Sequence, residues 1–239
     1  MSLRQVGLSH PIKLDWMNLT ALEVSRETDL VQIAKHLEEH LREEIQGSES
    51  RRKSINSLIR IWATMPESQI RFQQKTIKLF LDANADERIW LHWGMSLTAY
   101  PIFTEVVTTI GKLLKLQTYA TSGQIHRDIY SHWGQRSTLT KSIRSILTSI
   151  KDWKVIQYDS KLRRYIPGKK YTTNRSELEI WFIEAFIRST NKQINIQQLN
   201  NAYPLFPFTF KITPIDITKN KELSINSNYN EESWIKLRI

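Results

Sequence analysis

Residues 121–168 read TSGQIHRDIYSHWGQRSTLTKSIRSILTSIKDWKVIQYDSKLRRYIPG. Thr121, Ser122 and Gly123 form a turn, after which Ile125, Ile129 and Tyr130 recur at helical spacing until Gly134 stops the helix. Ser137 then offers a hydroxyl to cap a second helix that buries Leu139, Ile143, Ile146, Leu147 and Ile150. The opposite face of that helix carries Lys141, Arg144, Thr148 and Lys151 at three- and four-residue intervals, so their side chains form one stripe. Two β-type runs follow, Lys154 to Tyr158 and Arg163 to Ile166, joined through Asp159, Ser160, Lys161 and Leu162 as a hairpin.

The charge of the chain gathers on this stretch. The 239 residues hold 34 Lys and Arg against 24 Asp and Glu, for a formal net charge of +10. Residues 1–120 contribute 15 basic and 14 acidic side chains and residues 176–239 contribute 7 and 7, whereas residues 121–175 hold 12 basic and 3 acidic. A scattered excess of cations serves solubility, but a concentrated one suits a polyanion, which for a globular protein points to nucleic acid. A solvated basic face without a partner is the competing reading.

Helix, short turn, helix with an exposed basic face, then a hairpin with a basic tip is an order of elements that resembles the winged helix-turn-helix superfamily. The pieces that carry the resemblance are TSGQIHRDIYSHWG, RSTLTKSIRSILTSIKDW and KVIQYDSKLRRYIP. The resemblance implies that the second helix enters the major groove while the hairpin touches phosphate or minor groove. It places Thr138, Lys141, Arg144 and Ser145 toward base edges and phosphate, and Lys161, Arg163 and Arg164 on the backbone. Lys and Arg neutralise phosphate and release counterions, and Arg can grip guanine with two hydrogen bonds. The hydroxyls of Ser137, Thr138 and Thr140 let the positive end of the helix approach a phosphate. Arg136, Thr148, Lys151, Lys169 and Lys170 complete the expected DNA-binding set. Winged helices also serve as protein adaptors, so that alternative stays open.

Working outward, the first 25 residues show no clear period around Pro11 and read as a poorly specified lead-in. Helical spacing begins after Thr28 with Leu30, Ile33, Leu37 and Leu41, and Gly47 ends it. A second helix spans Ser50 to Thr64, and Pro66 opens a third that buries Ile70, Ile77, Phe80 and Leu81. The most apolar stretch, from Ile89 through Leu114, is broken by Pro101 and holds His92. Its longest charge-free run falls short of a membrane span, so it reads as two buried helices. Beyond residue 175, Ser176 and Glu179 suggest a capping box for a helix burying Leu178, Trp181, Phe182, Phe186 and Ile187. A short helix from Ile194 to Ala202 and strands around Phe208 to Thr213, Glu222 to Ser227 and Ser233 to Ile239 would complete a lobe that resembles a second, degenerate winged helix without the charge.

Several chemistries are disfavoured. With no cysteine there are no disulfides, thiolate metal sites or cysteine nucleophiles, and no signal segment opens the chain, which suggests the cytoplasm. Only 7 glycines are present, and neither phosphate-cradling glycine motif occurs. His36, Glu39 and His40 spell H-x-x-E-H, an inverted zinc-peptidase spacing, but they sit among Lys35, Glu38, Arg42 and Glu43 on what looks like a solvated face. His92 reads as a core histidine with a backbone partner, and the tryptophans at 62, 90, 93, 133, 153 and 181 read as core.

The expectation is a mainly α protein with small β hairpins: an N-terminal helical domain (1–120), a central winged helix-turn-helix (121–175) and a C-terminal α+β lobe (176–239). It would bind double-stranded DNA in the cytoplasm without catalysis, cofactor or metal, keep clear of membranes, and meet a protein partner or a second copy of itself through the terminal lobes. The layout also resembles the DNA-binding accessory proteins of bacterial BREX-type phage-defence systems, which implies work beside larger methyltransferase and ATPase partners. A protein adaptor and a transcriptional regulator remain the alternatives.

Overall fold

A computed structural model describes residues 6–227 and 233–238. The supposed lead-in contains a helix, α1 (Leu14–Arg26), which buries Trp16, Met17, Ala21 and Val24. Its period is masked because two polar side chains, Thr20 and Glu23, lie on the buried face. Each is satisfied there: the Thr20 hydroxyl donates to the Trp16 carbonyl at 2.7 Å, and Glu23 lies 2.8 Å from His36 Nδ1. α2 (Leu30–Leu41) is capped by the Asp29 carboxylate, and α3 (Ser48–Trp62) follows. Pro66 precedes a 3-10 turn, Glu67–Gln69, and does not open α4 (Ile70–Leu81) itself. α4 buries Phe72, Thr76, Leu79 and Phe80, which leaves Ile70 and Leu81 on its flanks, exposed and not in the core as expected.

α5 (Ala85–Ala99) and α6 (Pro101–Gln117) are the two buried helices foreseen in the apolar stretch. Asn84 and Glu87 close a reciprocal capping box at the start of α5, and Pro101 stands in the first turn of α6, where its missing N–H costs nothing. Among the described residues no helix is long and apolar enough to cross a membrane.

α7 (Ser122–Trp133) and α8 (Ser137–Asp152) come next, then β1 (Ile156–Asp159) and β2 (Arg164–Pro167) as an antiparallel hairpin. Ala120, just before α7, pairs with Tyr165 of β2 through two backbone hydrogen bonds of 2.9 and 2.7 Å. This makes a small sheet in the order Ala120, β2, β1, with α6 packed on α7 and α8.

The remaining chain forms β3 (Tyr171–Thr172), α9 (Ser176–Thr190), β4 (Ile194–Asn195), β5 (Phe208–Thr209), α10 (Pro214–Thr218), β6 (Leu223–Ser227) and β7 (Ser233–Leu237). β3 and β5 pair in parallel, and β4, β7, β6 form an antiparallel sheet in that order. The expected helix from Ile194 to Ala202 is instead β4 and two 3-10 turns, Ile196–Asn201 and Tyr203–Leu205. The strand foreseen through Thr213 stops at Thr209, and Ile239 lies outside the described residues. Ser176 makes no capping box: Arg175 is the N-cap residue, and the Glu179 carboxylate accepts the Lys211 backbone N–H at 3.0 Å.

An aromatic cluster on α5 ties these parts together. The Trp93 ring lies 5.1 Å from Phe103, 6.3 Å from Trp153 and 5.6 Å from Phe208, and its indole N–H donates to the Pro204 carbonyl at 3.0 Å. Trp90 packs on Phe182 and Phe208. α5 and α9 come together at Gly94, where an added Cβ would stand 2.6 Å from the Trp181 ring. Buried residues from every part of the described chain thus belong to one continuous core.

Candidate nucleic-acid interface

α8 is held from two sides. Leu139, Ile143, Ile146, Leu147 and Ile150 enter the core as expected. Ser142, Ser145 and Ser149 form a second buried row, and Ser142 and Ser149 meet the irregular segment 6–13. The Ser142 hydroxyl donates to the Gly7 carbonyl, Ser149 Oγ accepts the Ile12 N–H at 2.8 Å, and the Trp153 indole donates to the Ile12 carbonyl at 2.9 Å. Small hydroxyl side chains let an extended segment lie close while satisfying its backbone. What remains open is a stripe of Ser137, Thr138, Lys141, Arg144, Thr148 and Lys151.

The hairpin presents its tip through a rigid turn. Asp159 Oδ1 accepts the backbone N–H groups of Lys161 and Leu162, both at 3.1 Å, and Arg163 adopts a left-handed φ of 50°. Lys161, Leu162 and Arg163 are all exposed. Among the described residues none of Lys141, Arg144, Lys151, Lys161 and Arg163 pairs with a carboxylate, so these five cations have no internal neutralisation.

Other expected contacts are spoken for. Ser145 is buried and faces neither base nor phosphate. Ser137 is the first helical residue and makes no cap bond, since Arg136, half-buried, takes the N-cap position. The Thr140 hydroxyl lies 2.6 Å from the Tyr130 hydroxyl, which joins α8 to α7. Arg164 folds back, 3.6 Å from Asp159 and with its guanidinium 4.9 Å from the Tyr119 ring centre. Lys169 sits 2.7 Å from both Asp86 oxygens, fastening the chain after β2 to the start of α5. Lys170 is exposed but lines a groove beside Tyr203. Trp153 packs on Trp93 and Phe103 and bonds to the N-terminal segment.

One neighbour of the stripe has no signal in the local sequence. Burial, with the positive charges of Lys53 and Lys141 nearby, holds His10 below the usual histidine range against the opposing pull of Glu49. The docking of segment 6–13 brings His10 within reach of Lys141 and of the α3 charges Glu49 and Lys53.

The histidines set aside earlier have structural partners. His36 meets Glu23, and His40 Nδ1 lies 2.8 Å from the His36 carbonyl. Among the described residues no group of three His, Cys, Asp or Glu side chains could hold a metal ion. His92 is fully buried, with Nε2 3.0 Å from the Asn18 side-chain oxygen, so its partner is a side chain and not the backbone. Burial pushes its pKa down to about 3, with the Arg88 charge adding to the effect. The six tryptophans named from the sequence are all buried.

No protein-family model, no curated protein and no solved structure matches this chain.

Proposed function

We propose that the protein binds double-stranded DNA without catalysis, through a winged helix-turn-helix formed by α6, Ala120, α7, α8 and the β1–β2 hairpin. The observation that carries this reading is the pair of unneutralised basic features: the α8 stripe of Lys141, Arg144 and Lys151, and the hairpin tip of Lys161 and Arg163. Paired cations contribute little to an external polyanion, whereas free ones exchange counterions for phosphate. The order helix, bridge residue, helix, helix, hairpin, with β2 flanked by β1 and by the bridge to Ala120, supports the winged reading. On it, α8 addresses the major groove, with Arg144 and Lys141 at base edges and phosphate, and the hairpin tip holds the backbone.

The double variant Lys141→Ala, Arg144→Ala alters only exposed positions. It is expected to weaken duplex binding by about 10- to 100-fold at moderate salt and to lower the slope of log affinity against log salt by about 2, in a mobility-shift titration. Unchanged affinity would move the function to another surface.

The role as an accessory component of a BREX-type defence system, cytoplasmic and beside methyltransferase and ATPase partners, belongs to the same proposal. It predicts that the tagged protein brings down such partners from cells and binds many duplex sequences alike. One preferred palindromic site would favour a regulator instead.

A further inference from the structure

Between the basic unit and the C-terminal lobe runs a groove that the duplex reading does not use. It has two adjoining parts, of about 290 and 540 Å³, which share Lys115, Asn201, Ala202 and Tyr203. α6 forms one wall and the two 3-10 turns form the other; they close on each other at Gly111, where a Cβ would collide with the Tyr203 carbonyl. The first part reaches Pro167, the end of the hairpin, and the second reaches Lys192 and Trp234.

The chemistry of the walls is one-sided. Lys115, Lys170 and Lys192 line the groove, and among the described residues no carboxylate does. Lys115 Nζ lies 3.0 Å from the Asn201 side-chain oxygen and 5.8 Å from the Tyr203 ring centre, both neutral partners. Three ammonium groups lining one concavity favour an anionic guest. The half-open Tyr203 ring offers a surface for stacking, and Gln193 and Gln198 supply amides that read planar polar edges. Cations along a groove, an aromatic platform and amides are the combination that holds an unpaired polynucleotide strand. The volume is of small-ligand size, so it admits unpaired nucleotides and not a base-paired duplex.

We infer that this groove binds a single, unpaired nucleic-acid strand, with Lys115, Lys170 and Lys192 on phosphates and Tyr203 under a base. The site is separate from the α8 stripe and does not require the duplex reading to hold. The test is fluorescence anisotropy of labelled oligothymidylate and of a labelled duplex with the full chain. Wild type is expected to bind the single strand, and Lys115→Ala, Lys192→Ala to lose it by about tenfold while duplex affinity stays within about twofold. Tyr203→Leu is expected to give a comparable loss at unchanged melting temperature, and Lys141→Ala, Arg144→Ala to leave strand binding within about twofold. The inference is overturned if wild type fails to bind the strand or if the groove variants bind it normally. It is equally overturned if strand and duplex fall together, or if a polyglutamate peptide competes as well as the oligonucleotide, which would mean charge recognition alone.

Discussion

Two regions of the molecule end alike, in a helix followed by an antiparallel strand pair, and differ in charge. In the first, α6, Ala120, α7, α8, β1 and β2 end in a sheet whose last strand is central. In the second, α9, β4, two 3-10 turns, β5, α10, β6 and β7 end in a sheet ordered β4, β7, β6, with the last strand central, while β5 leaves it to pair with β3. The helix before the hairpin runs from Ser137 to Asp152 in the first and only from Pro214 to Thr218 in the second. A helix before a strand pair therefore carries an exposed basic stripe in one region and none in the other. Topology sets where a helix and hairpin can project, whereas side-chain charge decides what they can meet.

The comparison breaks most visibly at its hinge. Trp93 touches Phe103 and Trp153 of the first region and Phe206 and Phe208 of the second. Trp93→Ala should cost about 3–5 kcal/mol and lower both regions' stability in one cooperative transition, read by thermal unfolding with hydrogen exchange. Two separate transitions would show that the regions fold independently.

The helix they share also sets an acid limit. His92 is neutral in the fold, with a pKa of about 3 against an ordinary 6.5. Because the unfolded chain takes up this proton first, the contribution is whole above about pH 6.5 and drains as pH falls toward 3, by a few kcal/mol on the order-of-magnitude scale. His92→Gln keeps a donor for Asn18 and should flatten this part of the acid profile in urea titrations. An unaltered profile would assign the acid sensitivity elsewhere.

The smallest effects sharpen the contrast between the two hairpin units. Lys161→Ala, Arg163→Ala at the first hairpin should weaken duplex binding by about tenfold and reduce the salt slope. Lys219→Ala, Lys221→Ala, two exposed cations beside α10, should leave it within about twofold. Equal losses from both pairs would mean that duplex recognition follows total charge and not the α8 stripe.

Much of this was legible in the amino-acid order. The buried face of α8, its basic stripe, the hairpin and the two apolar helices follow from local period, because a helix or strand segregates its own side chains every three to four or every two residues. The place of the net charge is likewise a property of composition along the chain. The rest depends on residues distant in sequence. Arg164 is withdrawn by Tyr119 and Lys169 by Asp86, and Ser142 and Ser149 are taken up by segment 6–13; none of these partners has a period that announces it. Ala120 joins β2 only through its bridge to Tyr165, since one residue carries no alternation. The groove, too, exists only where α6 meets the C-terminal turns. Amphipathic spacing thus told which faces turn inward, while tertiary contact alone decided which cations stay free, because neutralisation requires a partner in space.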